Sequence, residues 1–115
     1  MIYKYFSTDE LKCQHCGAEG MDDSFMVKVE ALREELRFPF VVTSGYRCKD
    51  HPIEAKKEVP GCHAQGIAAD IKITNAVFRL KLVTEAIRLG FTGIGVASDF
   101  IHIDTRGTTP VMWTY

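Results

Sequence analysis

Hydrophobic residues recur at helical spacing in two long segments of the chain, and the first predicts an amphipathic helix. It begins at Asp22 or Asp23 and ends at Pro39, and its apolar stripe consists of Phe25, Met26, Val29, Leu32 and Leu36. Upstream, Ser7 and Glu10 have the spacing of a capping box, which predicts one short helical turn.

The second helical segment begins after Thr74 or Asn75 and stops at Gly90. Its spacing predicts an inward-facing stripe of Val77, Leu80, Val83 and Ile87. Apolar or alternating runs predict strands at residues 40–43, 67–73, 93–97, 100–105 and 111–113. Their irregular order with the helices predicts an α+β fold, in which two main helices pack on one face of a small, mainly antiparallel sheet.

Length and composition restrict the classes of protein to consider. A chain of 115 residues is expected to form one domain, residues 1–115, and 46% hydrophobic with 25% charged residues is typical of a globular protein. The formal net charge of -1 gives no reason to expect a nucleic-acid or membrane partner. Residues 1–10 lack the features of a secretory signal, so we expect synthesis in the cytoplasm. Separately, we expect the protein to be a monomer.

Three polar residues suggest a metal site on the predicted sheet. Period two places Asp70 opposite the isoleucines of its strand, and His102 opposite those of a second strand. If both strands share one core, the two side chains project from the same side, with His63 just upstream across a turn. Two imidazoles and one carboxylate suit a catalytic zinc ion with an open fourth position. Each residue alone also fits a structural role, so the prediction depends on the combination.

Two further residues complete the predicted chemistry. A catalytic zinc lowers the pKa of its water to about 7 and polarises a carbonyl, so a nearby base suffices for amide hydrolysis. Asp99, three residues before His102, is the candidate base. Arg47 is the candidate cation for a substrate carboxylate or a developing oxyanion.

The same residues occur in three motifs: Ser-Gly-Tyr-Arg at 44–47, His-x-x-Gly-x-Ala-x-Asp at 63–70, and Asp-x-x-His-x-Asp at 99–104. In order and separation, they resemble the M15 family of zinc D-Ala-D-Ala carboxypeptidases and phage endolysin peptidases. The resemblance extends from about Val41 to Trp113.

The resemblance implies a role for each matching residue. It makes His63, Asp70 and His102 the zinc ligands, Asp99 the general base, and Arg47 a substrate-binding residue. It also implies the small α+β fold of hedgehog and D-Ala-D-Ala peptidase domains. The implied substrate is the peptidoglycan stem peptide, cut either at its terminal D-alanine or at the L-alanyl-D-glutamate bond. Such an enzyme acts on the cell wall, as a phage-released or virion-associated protein.

The cysteines suggest a second metal site. Cys13 and Cys16 have the same spacing as Cys48 and His51, and two such pairs can bind a structural zinc ion that fixes the N-terminal loop. The alternative is three ordinary thiols, or a disulfide formed on oxidation.

Two other functions remain open from the sequence. The chain could be a non-catalytic cell-wall-binding or phage tail protein that keeps the fold, although a binding module has no need of Asp99 and Arg47. It could also be a small zinc module that binds nucleic acid through its cysteine pairs, but the sequence has no basic cluster for this role.

Overall fold

The computed structural model describes residues 3–59 and 61–115. Within them, the helices are α1 (Thr8–Leu11), α2 (Asp23–Leu36) and α3 (Ala76–Arg88), and a 3-10 turn covers Glu54–Lys56. The strands are β1 (Val42–Ser44), β2 (Ala68–Lys72), β3 (Gly93–Val96), β4 (Phe100–Asp104) and β5 (Val111–Thr114). None of the described helices has the length and apolar character required to cross a bilayer.

The five strands form one sheet in the order β1-β2-β4-β3-β5. Neighbouring strands are antiparallel, except that β5 lies parallel to β3. The β2–β4 register sets Asp70 directly opposite His102, and the β3–β4 register sets Gly93 opposite Asp104. The predicted α+β fold with a mainly antiparallel sheet is therefore confirmed.

The core lies between one face of the sheet and helices α2 and α3. Ile71, Ile101 and Ile103 are fully buried on the sheet side. Helix α2 contributes the predicted stripe, with Phe25, Met26, Val29 and Leu32 buried and Leu36 partly buried against them. Because side chains alternate along a strand, the polar residues between the isoleucines project from the opposite face of the sheet.

Helix α3 differs from the prediction in the face that it buries. Leu82 and Ala86 are buried, whereas Val77, Leu80 and Ile87 are exposed. The helix carries apolar residues on two different faces, and spacing alone does not decide which face meets the sheet. Val83 is partly buried against the core, as expected.

The N-terminal turn is held by the predicted capping box. The Ser7 hydroxyl accepts from the backbone N–H of Glu10, whose Oε1 in turn accepts from the Ser7 N–H. The other oxygen, Glu10 Oε2, accepts from the Val42 N–H at 3.0 Å. One carboxylate thus caps α1 and attaches it to strand β1.

Candidate metal centre

Three predicted ligands meet on the polar face of the sheet. Asp70 on β2 and His102 on β4 are cross-strand partners, and His63 reaches them from the turn before β2. His63 Nε2 lies 3.3 Å and His102 Nδ1 lies 3.1 Å from Asp70 Oδ1. All three residues are buried, and one ligand atom from each lies within 4.8 Å of the others. The predicted grouping is therefore present.

A tight turn returns the chain from His63 to β2. Gly66 closes it with a φ of 76°, a backbone conformation that a residue with a Cβ rarely adopts. A Cβ at this position would also collide with the carbonyl oxygen of Gly20. The Gly66 carbonyl accepts from the Asp22 N–H at 2.9 Å. The glycine of the His-x-x-Gly motif thus positions His63 against the start of α2.

In each imidazole, the nitrogen that faces away from Asp70 (the outer nitrogen) makes a hydrogen bond that determines the tautomer. His63 Nδ1 lies 2.7 Å from the carbonyl oxygen of Gly45, which only accepts, so this nitrogen donates. His102 Nε2 donates to Asp104 Oδ2, also at 2.7 Å. In neutral rings the inner nitrogens therefore carry lone pairs, and both face Asp70 Oδ1. Three lone pairs that converge on one point require a cation, and this donor set fits zinc.

The pKa values of the centre show the same preference for positive charge. Burial works to raise the pKa of Asp70, but hydrogen bonds and charge from His102 and His63 outweigh it and hold the pKa well below its usual range. Burial works to lower the pKa of His102, yet Asp104 and Asp70 raise it. A proton or a metal ion is thus stabilised between the carboxylate and the imidazoles.

Asp104 and Arg106 support His102 from behind. Asp104 is fully buried, and its two oxygens accept from His102 and from the Arg106 backbone and guanidinium. The carboxylate packs against β3 at Gly93, where a Cβ would collide with it. The sequence placed Asp104 on the polar face without a role, and it did not single out Arg106 or Gly93. The available signal was the His-x-Asp alternation, which sets both side chains on one face.

Arg47 lies at the centre, as predicted. Its Nη2 lies 3.3 Å from Asp70 Oδ2, the oxygen that the imidazoles leave free. Its Nε donates to Ser44 Oγ at 3.1 Å, and its backbone N–H donates to the His63 carbonyl at 3.2 Å. The guanidinium is therefore held beside Asp70 and forms part of the cleft wall.

An open cleft of about 650 Å³ lies above the centre. Besides the three ligands and Arg47, it is lined by Ile53, Lys57, Gly61, Cys62, Phe100, Arg106, Trp113 and Tyr115. The Trp113 ring lies 5.1 Å from that of His102 and stacks on the Arg106 guanidinium at 4.8 Å. The cleft thus combines the candidate metal centre, three cationic side chains and an aromatic wall.

The sequence matches the family model described as Peptidase M15 over residues 4–104. The chain belongs to the peptidase M15 family. No curated protein sequence matches it. Metallopeptidase chemistry in this family agrees with the His63–Asp70–His102 geometry.

The structure does not bring Asp99 to the metal centre of this M15 peptidase. Asp99 is exposed in the turn between β3 and β4, and it is not among the residues that line the cleft. Its carbonyl accepts from the Ile73 N–H at 3.0 Å. Asp99 precedes β4, whose alternation sets Phe100 and His102, but not residue 99, on the cleft face. Its role as the base stays a prediction.

The second predicted site is assembled in part. The sulfurs of Cys13, Cys16 and Cys48 lie within 4.8 Å of one another, but His51 does not join this group. His51 Nδ1 instead accepts from the Ile53 N–H at 3.2 Å. Burial works to raise the pKa of Cys13, but N–H groups directed at its sulfur outweigh burial and lower the pKa to about 6. Cys62 lies apart from these thiols, in the main cleft.

Proposed function

We propose that this M15 peptidase hydrolyses a peptide bond in the stem peptide of bacterial peptidoglycan. The proposal depends mainly on one observation: the His63–Asp70–His102 centre forms part of the wall of a cleft that is open to substrate. A zinc ion bound there supplies Lewis-acid activation of the scissile carbonyl and of water. The chain's own residues then bind and orient the peptide.

Arg47 is placed to bind negative charge beside the reacting carbonyl. Its guanidinium is held at two points, by Ser44 Oγ and by Asp70 Oδ2, so its direction is set before substrate arrives. A fixed cation in a largely buried position stabilises an oxyanion more strongly than one in free solution. We assign it the substrate carboxylate or the developing oxyanion.

The cleft chemistry supports an acidic peptide as substrate. Arg47, Lys57 and Arg106 bring three cations to its walls, each paired on one side with a carboxylate of the chain. Among the described lining side chains, Asp70 is the only carboxylate. Both candidate bonds lie next to a carboxylate, at the terminal D-alanine or at D-glutamate. The open aromatic wall of Phe100, Trp113 and Tyr115 can pack against the alkyl parts of the stem.

Asp99 remains the proposed general base on the strength of the family motif. To act, its carboxylate has to move from the exposed β3–β4 turn toward His102, with the peptide bound. Many enzymes have long catalytic hydrogen bonds in the free state, and a loop movement shortens these bonds when substrate binds.

The position of Asp99 also favours a second candidate function. Without a free carboxylate in the cleft, the same chain could bind the wall without cutting it, as a cell-wall-binding or phage tail/virion structural protein. Both functions place the protein at the cell wall, after release by a phage or as part of a virion. Neither uses a nucleic acid or a membrane.

A synthetic stem pentapeptide tests the proposal and identifies the bond. We expect the zinc-loaded protein to release D-alanine or to split the L-alanyl-D-glutamate bond, as read by product mass. Asp70→Ala, folded but without its ligand carboxylate, should release neither product. If the folded, zinc-loaded protein binds the peptide and leaves it intact, the binding function is supported instead.

A further inference from the structure

Three cysteines from two distant parts of the chain meet beside the cleft. Cys13 and Cys16 lie in the loop that follows α1, and Cys48 directly follows Arg47. Their sulfurs lie within 4.8 Å of one another. A tetrahedral zinc thiolate site has sulfurs about 3.8 Å apart, so the three thiols need to close by only about 1 Å.

The backbone around Cys13 is arranged for a thiolate. The Cys48 N–H donates to Cys13 Sγ at 3.3 Å, and the backbone N–H groups of Cys16 and His15 point to the same sulfur. The loop is closed by the Gly17 N–H on the Cys13 carbonyl at 2.8 Å and the Cys13 N–H on the Ala18 carbonyl at 2.9 Å. A neutral thiol accepts such bonds weakly, whereas a metal-bound thiolate accepts them well.

We propose that Cys13, Cys16 and Cys48 bind a second, structural zinc ion, separate from the centre in the cleft. Soft thiolates in this number favour zinc over magnesium or calcium. We assign the fourth position to an imidazole, either His15 or His51, because each lies within three residues of a cluster cysteine in the sequence. Their ring centroids lie 6.2 Å apart. His51 supplies this ligand only after releasing the Ile53 N–H, and His15 supplies it from the exposed loop.

This second zinc would hold the wall that carries Arg47 and the support of His63. The Tyr46 N–H donates to the Leu11 carbonyl at 2.9 Å, and Gly45 packs against the same carbonyl. Gly45 accepts from His63 Nδ1, and the Arg47 N–H donates to the His63 carbonyl. A metal that joins residue 48 to the N-terminal loop therefore braces both partners of His63. This bracing role rests on the proposed function, whereas the metal site itself does not.

Metal content of the full chain tests the site. We expect two zinc ions per chain in the wild type, one in Asp70→Ala, and one in Cys16→Ser, whose exposed position makes it the mildest change in the cluster. Cys62→Ser is the matched control, a thiol outside the cluster, and should keep both ions. One zinc per chain in the wild type, kept in Cys16→Ser and lost in Asp70→Ala, would overturn the proposal.

Cobalt substitution identifies the ligands without reference to activity. Thiolate-to-cobalt charge transfer should absorb in the near ultraviolet in the wild type and in Asp70→Ala, and should be lost in Cys13→Ser and Cys16→Ser. If the wild type lacked this absorption band, the site would be rejected. A disulfide among the three cysteines, detected by its mass deficit in protein purified under reducing conditions, would also reject it. His15→Ala and His51→Ala assign the fourth ligand, and full zinc affinity in the double variant would remove the imidazole from the proposal.

Limited proteolysis tests the bracing role. Cleavage within residues 12–22 should be at least about tenfold faster in Cys16→Ser than in Cys62→Ser, because the loop loses its attachment. Equal cleavage rates, with the second zinc lost, would reject the bracing role.

The two proposals can fail separately. Two zinc ions per chain without hydrolysis would reject the proposed function alone, and hydrolysis with one zinc ion per chain would reject this inference alone.

Discussion

Asp104 determines which nitrogen of His102 faces the metal centre. Its Oδ2 accepts from both His102 Nε2 and Arg106 Nη2, each at 2.7 Å. A carboxylate accepts at both oxygens, whereas an amide has one accepting oxygen and one donating nitrogen. Arg106 donates to both oxygens of Asp104, so the NH₂ group in Asp104→Asn would face an Arg106 donor in either orientation of the amide. The charged acceptor that orients His102 would also be lost.

Asp104→Asn is therefore expected to weaken zinc binding at the cleft by about 10- to 100-fold, because His102 would lose the charged acceptor that orients its ring and raises its basicity. A competition titration against a chelator measures this affinity, with a thermal melt to confirm folding. Asp9→Asn, a change to an exposed carboxylate, is the control. Unchanged affinity in folded Asp104→Asn would show that another contact orients His102.

Asp99→Asn separates the base from the ligands. If Asp99 takes the proton from water, the variant should keep its zinc and lose about 10²-fold or more in kcat. The measurement is stem-peptide turnover at saturating substrate, beside zinc content. Full turnover by Asp99→Asn would assign the base role to another group and would agree with the exposed position of Asp99.

Glu54 anchors the loop that leads to Cys62 and His63. Its buried carboxylate accepts from Lys57 Nζ at 2.8 Å and from the Gly61 N–H at 3.0 Å. Burial works to raise the pKa of Glu54, but these two donors outweigh it and lower the pKa. A carboxyl whose pKa is depressed by folding stabilises the folded state above its unfolded pKa, and this stabilisation is lost as the pH falls.

Glu54→Gln should therefore cost about 1–2 kcal/mol of stability at neutral pH, a modest figure since Lys57 is partly exposed. The difference from the wild type should shrink below about pH 4, where the free glutamate of the unfolded chain is protonated. Urea titrations at pH 7 and pH 3 measure it, with exposed Glu58→Gln as the control. A stability difference that is equal at both pH values would contradict the role of the ionised carboxylate.

At the scale of elements, the β2–β4–β3 register builds the metal centre. It sets Asp70 opposite His102, and it sets Gly93 opposite Asp104, so that the supporting carboxylate fits against a strand without a side chain. The centre depends on backbone pairing as much as on its ligands. A change in β3 should therefore reach the metal through Asp104.

Gly93→Ala tests this dependence. Its Cβ would collide with the Asp104 carboxyl, so we expect a loss of about 1–3 kcal/mol in stability, together with weaker zinc binding. Gly107→Ala is the matched control, because a Cβ there meets nothing within 4 Å. Chemical denaturation and the chelator titration measure the two effects. If Gly93→Ala lost stability with full zinc affinity, the link from β3 to His102 would be absent.

The elements could largely be predicted from the sequence, because period two and period 3.6 are clear in most segments. Helix α2 buries the stripe that its spacing predicted. Helix α3 buries a different face from the predicted one. When a helix has apolar residues on two faces, the shape of the sheet determines which face is buried, and local sequence spacing carries no information about that shape. The predicted strand at residues 67–73 is shorter in the structure, at Ala68–Lys72.

At the scale of the whole molecule, the sheet separates two environments. One face packs on α2 and α3, and the other carries the cleft and its metal centre. The grouping of His63, Asp70 and His102 could be predicted because strand alternation and the family motif agreed on it. The contact of Gly93 with Asp104 could not be predicted, since it depends on the pairing of β3 with β4. The contacts of Asp104 with His102 and Arg106 are local, and the His-x-Asp alternation was the signal for them. Cysteine spacing predicts the cluster, whereas His51 lies outside the group of sulfurs because its Nδ1 accepts from the Ile53 N–H.

The most direct test of the account is the release of fragments from purified peptidoglycan, measured by mass spectrometry. The zinc-loaded protein is compared with a chelated sample, the same sample after zinc is restored, and Asp70→Ala. We predict stem-peptide fragments of a single cleavage type, lost on chelation, recovered with zinc, and absent with Asp70→Ala. Release that persists in excess chelator, or no release by a folded and zinc-loaded sample, would contradict the account.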